Sequence, residues 1–295
     1  MQVLLTNDDG IDAAGLLTLR SHLIRHFDSV ITVAPTANCS GYARKCTYHT
    51  EVRIERTVQG QHAMYSCDGT PTDCVRAGLI GGLAADAQLV VSGINHGANL
   101  ADDVTNSGTI GAGLEAGILG VRSLCVSQQF PSGSMAVNSH GERTMRSSDF
   151  EFAARHSAAV AASLTHSTLD AQTVLSLNFP HRVTDNSIRI TQPGRRAYPN
   201  NPVQPWTDED EAQTMYLYGL PNEVIPELPT SNDTDIIAIQ AGHISITPLT
   251  LGLGFGEASN LNQLRVTLES LLSLALPNFE IATANQPHTT REAAL

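Results

Sequence analysis

Lysine is all but missing from this chain. Of its 17 basic residues only Lys45 is a lysine, and the rest are arginines. The arginines are scattered, with no basic run longer than a pair such as Arg195-Arg196, and the net charge is −12. An acidic chain without a basic patch is a poor partner for nucleic acid polymers or anionic membranes. Any phosphate recognition must then come from arginine, backbone N–H groups or a metal. Long apolar runs are absent too, none approaching the ~18 residues that a membrane span requires. The N-terminal MQVLLTNDDG shows neither a basic n-region nor a small-residue cleavage site, so a cytoplasmic location is expected. The five cysteines (Cys39, Cys46, Cys67, Cys74, Cys125) are odd in number and form no C-x-x-C pair. Zinc ribbons and disulfide scaffolds are thereby disfavoured, and buried thiols expected. With 41% hydrophobic and only 16% charged residues, the chain has the makings of a packed core rather than a disordered coil.

What is present is an alternation of strand and helix signals. Residues 3–6 read as a buried strand, and Leu16, Leu19, Leu23 and Phe27 recur at helical spacing over 14–27. Residues 29–34 are a second strand ending at Pro35. Strand, helix, strand in this order makes a βαβ unit and hence a parallel sheet. Thr70-Pro71-Thr72-Asp73 reads as a helix start, with Thr70 as N-cap and Pro71 in the first turn, the helix running to Leu83. Residues 88–94 are a strand, and Ser107-Gly108-Thr109 opens a helix to Leu119. Residues 123–127 and 173–179 are further strands, with a helix near 151–164. Residues 1–182 thus read as a Rossmann-like α/β core with a mostly parallel sheet. Beyond Pro180, strand-like stretches at 187–192, 214–218, 235–240 and 243–249 alternate with Pro-, Gly- and Asn-rich loops. They make 183–257 a β-rich annex with a protruding hairpin or arm. Leu261, Leu264, Leu268, Leu271, Leu272 and Ala275 mark the apolar face of a C-terminal helix within 258–295, followed by a frayed tail. The Gly/Ser/His-rich stretch Ser132–Ser148 is expected to be a mobile loop or a lid.

In open parallel sheets, ligands bind beyond the C-terminal strand ends where strand order reverses. After the first strand comes Asn7-Asp8-Asp9-Gly10, after the second Asn38-Cys39-Ser40-Gly41, and at the end of 88–94 Gly93-Ile94-Asn95-His96-Gly97, then Asn99. Carboxylates, a hydroxyl and a carboxamide therefore gather on one edge. That set is all oxygen and suits Mg²⁺, Mn²⁺ or Ca²⁺ rather than zinc. Two adjacent carboxylates at a dry strand end repel each other, and a divalent cation relieves this. Ser107-Gly108-Thr109 at a helix N-terminus forms an anion site that needs no lysine. Taken singly, each motif also has a bland reading. Asp-Asp-Gly is often a turn, Asn95 fits a left-handed position, and Ser107 fits a plain helix cap. It is their convergence on one edge that points to phosphoryl chemistry. His96 and His243 are the histidines to watch.

The motifs MQVLLTNDDGI, Ser40-Gly41, CDGTPTDCV, VVSGINHGANLADDV, NSGTIGAGLEA and ISITPL run in the order and spacing of the SurE family, the survival-protein nucleotidases, which residues 1–250 resemble. The resemblance implies a metal-dependent phosphomonoesterase acting on 5′- and also 3′-nucleoside monophosphates and on short polyphosphate. It implies one divalent cation per subunit, Mg²⁺ or Mn²⁺ with Ca²⁺ as an alternative, held by Asp8, Asp9, Ser40 and Asn95. Asp8 and Asp9 would be the catalytic pair; Asn38, Asn99, Ser107, Gly108 and Thr109 would face phosphate and substrate. It also implies a swapped arm that builds homodimers or homotetramers. The loop Pro35–Ser40 departs from the family in lacking an Asp and basic residues, and YARKCTYHTEV departs after Gly41, although Arg44 and Lys45 bring charge there. Ala101 stands where a glycine is common. These departures keep open a non-catalytic nucleotide-binding module. An aspartyl-nucleophile phosphatase fits less well, since that chemistry wants two Asp one residue apart and a downstream Lys.

Overall fold

The computed structural model describes residues 1–130, 146–184, 187–196, 233–250 and 261–282. Its frame is a ten-stranded sheet in the order β10-β8-β9-β7-β6-β5-β1-β2-β4-β3. The central strands are β1 (Gln2–Thr6), β2 (Ser29–Pro35), β5 (Ala87–His96), β6 (Arg122–Gln128) and β7 (Thr173–Phe179). They pair parallel, as the βαβ reading requires. The flanks add β3 (Ile54–Val58) and β4 (Met64–Cys67) on one side, and β8 (Ser187–Ile190), β9 (Ile244–Thr250) and β10 (Glu280–Ala282) on the other. Among the described strand pairs, β3·β4 and β7·β9 are antiparallel.

Side-chain alternation along the strands feeds two cores. Val3, Leu5, Val30, Leu89 and Val91 face one layer, with α1 (Ala14–Leu23), α4 (Ser147–Leu164) and α6 (Leu261–Ala275). Leu4, Ile31, Val33 and Val90 face the other, with α2 (Pro71–Leu79) and α3 (Gly108–Ile118). Strands buried on both faces explain why their sequences are nearly continuous apolar runs. The α2 start is a capping box: Thr70 Oγ1 accepts from the Asp73 N–H (3.2 Å) and Asp73 accepts from the Thr70 N–H (2.9 Å), with Pro71 in the first turn.

Several boundaries shift from expectation. The helices expected over 14–27 and 70–83 end at Leu23 and Leu79, while α4 starts earlier, at Ser147 rather than 151. Residues 235–240, expected as a strand, form the helix α5 (Asp235–Gln240). Thr234 caps it by accepting from the Ile237 N–H, and Ile236 and Ile239, three apart, are both buried against Leu100 and Ala101. Local capping and that packed face outweigh the β-propensity of the isoleucines. The β3–β4 hairpin was not foreseen. From the stretch read as a β-rich annex, β8 and β9 continue the main sheet. Residues 214–218 and 132–145 lie outside the described residues, and Ser147-Ser148 begin α4. In α6, Leu268, Leu271 and Leu272 are buried as expected; Leu261 and Leu264 lie outside the described side chains. Among the described residues, no helix is long and apolar enough to cross a membrane.

Candidate active site

The chain leaves β1, crosses by α1 to β2, and later returns to the opposite side of β1 as β5. The order of strands reverses between β1 and β5, the position beyond the C-terminal strand ends where open parallel sheets bind ligands. Asp8 and Asp9 follow β1 directly. The turn that carries them is fixed by Asn7, whose Nδ2 donates to the Gly10 carbonyl (3.0 Å), and by the Ile11 N–H donating to the Pro35 carbonyl (2.8 Å). Gly10 adopts φ +112°, a conformation that favours glycine.

Asp8 is almost fully buried. Its Oδ1 accepts a 2.5 Å hydrogen bond from Thr109 Oγ1, in the first turn of α3. A Cβ on Gly108 would stand 2.9 Å from both Cβ and Oδ2 of Asp8, so the helix start can touch this carboxylate only because it is glycine. Asp9 Oδ2 accepts from the His96 N–H (3.1 Å), and the His96 ring nitrogen Nδ1 stands 3.6 Å from Asp9 Oδ1. The His96 ring in turn stacks on Phe150 of α4 at 5.0 Å. Burial, and then the charge of Asp9, push the Asp8 carboxyl up to about 6, with the Thr109 hydrogen bond opposing.

Ser40 sits in an exposed loop that is fastened to the same place. The Cys39 N–H donates to the Asp8 carbonyl (2.7 Å), and the Ser40 N–H to Asn38 Oδ1 (2.8 Å). Cys39 itself is buried, and burial pushes its thiol up to about 11, which makes it a packing residue rather than a nucleophile. Asn95, at the end of β5, commits its Nδ2 to the Gly97 carbonyl (2.7 Å); the carboxamide is thereby oriented with its oxygen as the group it can offer. Ser107 caps α3 by accepting from the Ile110 N–H (3.2 Å). Asn99 is built differently. Its N–H donates to Asn178 Oδ1 (2.9 Å) and its Nδ2 to Ser127 Oγ (2.8 Å), so its bonds run to the ends of β6 and β7. His243 stands at the head of β9, three strands across the sheet from β5, bonded to Ser187 Oγ (2.6 Å).

The donor set fits a hard divalent cation. It offers two adjacent carboxylates, one of them driven upward by burial and by its neighbour's charge, and neutral hydroxyl and carboxamide oxygens. Among the described residues no three His, Cys, Asp or Glu side chains converge as a metal cluster. Two cavities of about 700 Å³ and 520 Å³ lie elsewhere, between α4 and α6 and beside α2, and neither is lined by these residues.

The sequence flags His96 without its role and leaves Glu115 unassigned. His96 holds Asp9 through its backbone N–H, a role that no side-chain pattern announces. Glu115, fully buried on α3, binds Arg44 Nη1 (2.6 Å) and Arg76 Nη1 (2.5 Å), one through each carboxylate oxygen. The charge that Arg44 brings to the loop is therefore spent on Glu115, and Lys45 lies over the Tyr42 ring (4.6 Å). Being the only charged side chain within GTIGAGLEAGI, Glu115 was the available signal.

Comparison with known proteins gives one consistent picture. The family model described as Survival protein SurE matches residues 3–200. The 5′-nucleotidase SurE of Rubrobacter xylanophilus is 38% identical over 259 residues, covering 86% of this chain and 92% of that protein. That of Idiomarina loihiensis is 36% identical over 256 residues, covering 86% and 93%. Among solved structures, the SurE protein from Aquifex aeolicus superimposes with a TM-score of 0.67 at 27% identity, over 91% of this chain and 100% of that one.

Proposed function

The chain belongs to the SurE family of survival proteins, and on that premise we propose that it is a 5′-nucleotidase that hydrolyses nucleoside monophosphates with a divalent cation held by Asp8, Asp9, Ser40 and Asn95. The observation that carries this reading is the contact between Asp8 and the start of α3. The Thr109 hydroxyl and the Gly108 backbone meet the carboxylate directly, so the cation ligands and an anion-binding helix end share one edge. When bound, the cation supplies neutralisation of phosphate oxygens and a water acidified enough to attack phosphorus. The adjacent carboxylates orient that water. The positive end of the α3 dipole would stabilise charge on the phosphate as it is displaced.

Ser107, Gly108 and Thr109 at the start of α3, with Asn38 and Asn99, are proposed for the substrate side, the Thr109 hydroxyl itself being committed to Asp8. Mg²⁺ or Mn²⁺ is the proposed ion, one per subunit, with Ca²⁺ as a weaker fit, and 3′-nucleotides and short polyphosphate are proposed as further substrates. The five free cysteines agree with a reducing compartment, the cytoplasm. Self-association as a homodimer or homotetramer through residues 183–257 is proposed from the family resemblance.

The test is phosphate release from 5′- and 3′-nucleoside monophosphates and an aryl phosphate, each with EDTA, Mg²⁺, Mn²⁺ and Ca²⁺. Release that EDTA abolishes and an added ion restores is the expected result. A folded protein that binds nucleotide yet releases no phosphate with any ion would instead be a binding module, with loop 36–45 as the altered part.

A further inference from the structure

We propose that Glu115 is a positioning residue for this site, acting through Arg44 to hold the loop that presents Ser40. The proposal rests on the reading of Ser40 as a cation ligand. A chain of backbone hydrogen bonds runs along that loop. The Cys39 N–H donates to the Asp8 carbonyl, the Tyr42 N–H to the Cys39 carbonyl (3.1 Å) and the Lys45 N–H to the Tyr42 carbonyl (3.0 Å). Ser40 lies inside the first of these turns and Arg44 inside the second. The far end is tied where Thr70 Oγ1 donates to the Lys45 carbonyl (2.6 Å). In the middle the loop lies on α3. The Ala43 N–H donates to the Asn106 carbonyl (3.1 Å), and a Cβ on Gly111 would stand 2.4 Å from the Ala43 carbonyl oxygen.

Ala43 takes φ +51°, a left-handed conformation that is unfavourable for alanine and persists only where the surroundings enforce it. The Ala43 N–H bond to Asn106, the close packing on Gly111 and the anchored side chain of the next residue, Arg44, together enforce it. The Arg44 guanidinium bonds one oxygen of Glu115, whose carboxyl is fully buried. The second oxygen of Glu115 is held by Arg76 of α2, and this hydrogen bond raises the Arg76 guanidinium further above its ordinary value. Neutralising the second oxygen from α2 lets a buried carboxylate exist beneath the loop; the bond from Arg44 is the one that reaches the loop. A truncated Glu115 or Arg44 would remove the side-chain restraint on this strained backbone, and the turn that carries Ser40 would be held less firmly.

The experiment is Mn²⁺ binding by electron paramagnetic resonance on the full chain, in parallel with steady-state kinetics and thermal melting. Arg44→Ala is expected to weaken Mn²⁺ binding about ten- to a hundredfold, the range seen when a support behind a metal ligand is removed. It is also expected to lower kcat rather than raise KM, and to lower the melting temperature, because the buried Glu115 carboxylate loses one of its two cationic partners. Arg44→Lys should recover part of the loss. Arg76→Ala, which leaves the Arg44–Glu115 bond in place, should bind Mn²⁺ more nearly as the parent does. Unchanged Mn²⁺ affinity in Arg44→Ala overturns the proposal, whatever becomes of Glu115→Gln, including failure to fold. Loss of Mn²⁺ affinity in Arg44→Ala from a parent that binds Mn²⁺ but releases no phosphate would support the positioning role while removing the nucleotidase reading.

Discussion

Thr109 donates its hydroxyl proton to Asp8 across 101 residues of chain, at 2.5 Å and out of contact with solvent. This bond joins the end of β1 to the start of α3, and it opposes the rise that burial imposes on the Asp8 carboxyl. Thr109→Val keeps the shape and removes the donor. Loss of a hydrogen bond to a buried charged group costs about 1–3 kcal/mol, and that cost should appear in urea denaturation at neutral pH. Phosphate release should fall at least about tenfold, since the ligand loses its fixed rotamer. Thr109→Ser, which restores the donor, should lie close to the parent in both measurements.

The Asp8 carboxyl titrates near 6 in the folded chain against an ordinary 3.8. Between those values the native state holds a proton that the unfolded state has already released. Stability of the metal-free protein from this group is therefore greatest at low pH, declines as pH rises from about 4 to about 6, and is fully lost above that. Asp8→Asn removes the penalty while keeping an acceptor for Thr109. In EDTA at pH 7 the variant should be more stable than the parent by on the order of 1–3 kcal/mol. The two should converge near pH 4, and the variant should lack cation-dependent phosphate release. A variant less stable than the parent at pH 7 would contradict the electrostatic account.

Gly108→Ala should cost function more than fold. Its new methyl group would press on Asp8 from 2.9 Å, with the carboxylate as the group that must turn aside. A helix interior gains from Gly→Ala by roughly 0.5–1 kcal/mol in propensity, which offsets part of the steric strain. Calorimetric titration with Mn²⁺ should show a loss of affinity, about tenfold or more, while circular dichroism stays that of the parent.

Asp73 gives the opposite pH sign. Burial alone would raise its carboxyl, but hydrogen bonds from the Thr47 N–H (2.9 Å), the Thr47 hydroxyl (2.7 Å) and the Thr70 N–H (2.9 Å) hold it below the ordinary value. Its contribution is fully present above about pH 4, the unfolded range, and is lost as pH falls through the lower folded value. Asp73→Asn should cost about 1–2 kcal/mol at pH 7, in line with a lost helix cap. The difference from the parent should shrink in strongly acid solution, as read from denaturation midpoints across pH.

The central sheet and the placing of Asp8 and Asn95 on one sheet edge were legible because their signals are local. β1, β2 and β5 are apolar runs, Thr70 and Ser107 are cap residues, and Asp8 and Asn95 stand at strand ends. β3 was not legible: Ile-Glu-Arg-Thr-Val is exposed along its whole length, so no buried face imprints a pattern on it. The helix at 235–240 was misread because Asp-Ile-Ile-Ala-Ile-Gln carries β-branched residues whose helical role depends on Leu100 and Ala101, over a hundred residues earlier. Asp235 has the same origin. It accepts from the Ala101 N–H (2.9 Å) and the Gly194 N–H (2.8 Å), tying distant segments. The placement of Asn99 on Asn178 and Ser127, and of Arg44 on Glu115, likewise belongs to tertiary contacts that no spacing rule encodes.

The parallel pairing of β1 with β5 sets Gln2 beside Ala87, and everything between them must be threaded through α1, the β3–β4 hairpin and α2 before the two strand ends meet. Closing so long a loop carries an entropic cost with no local contact to offset it in advance, and such topologies fold slowly. The two aspartates are made early on the ribosome, yet Asp9 meets the His96 N–H only after β5 has arrived beside β1. The proposed ion site would therefore be a property of the closed sheet, completed only when β5 is in place.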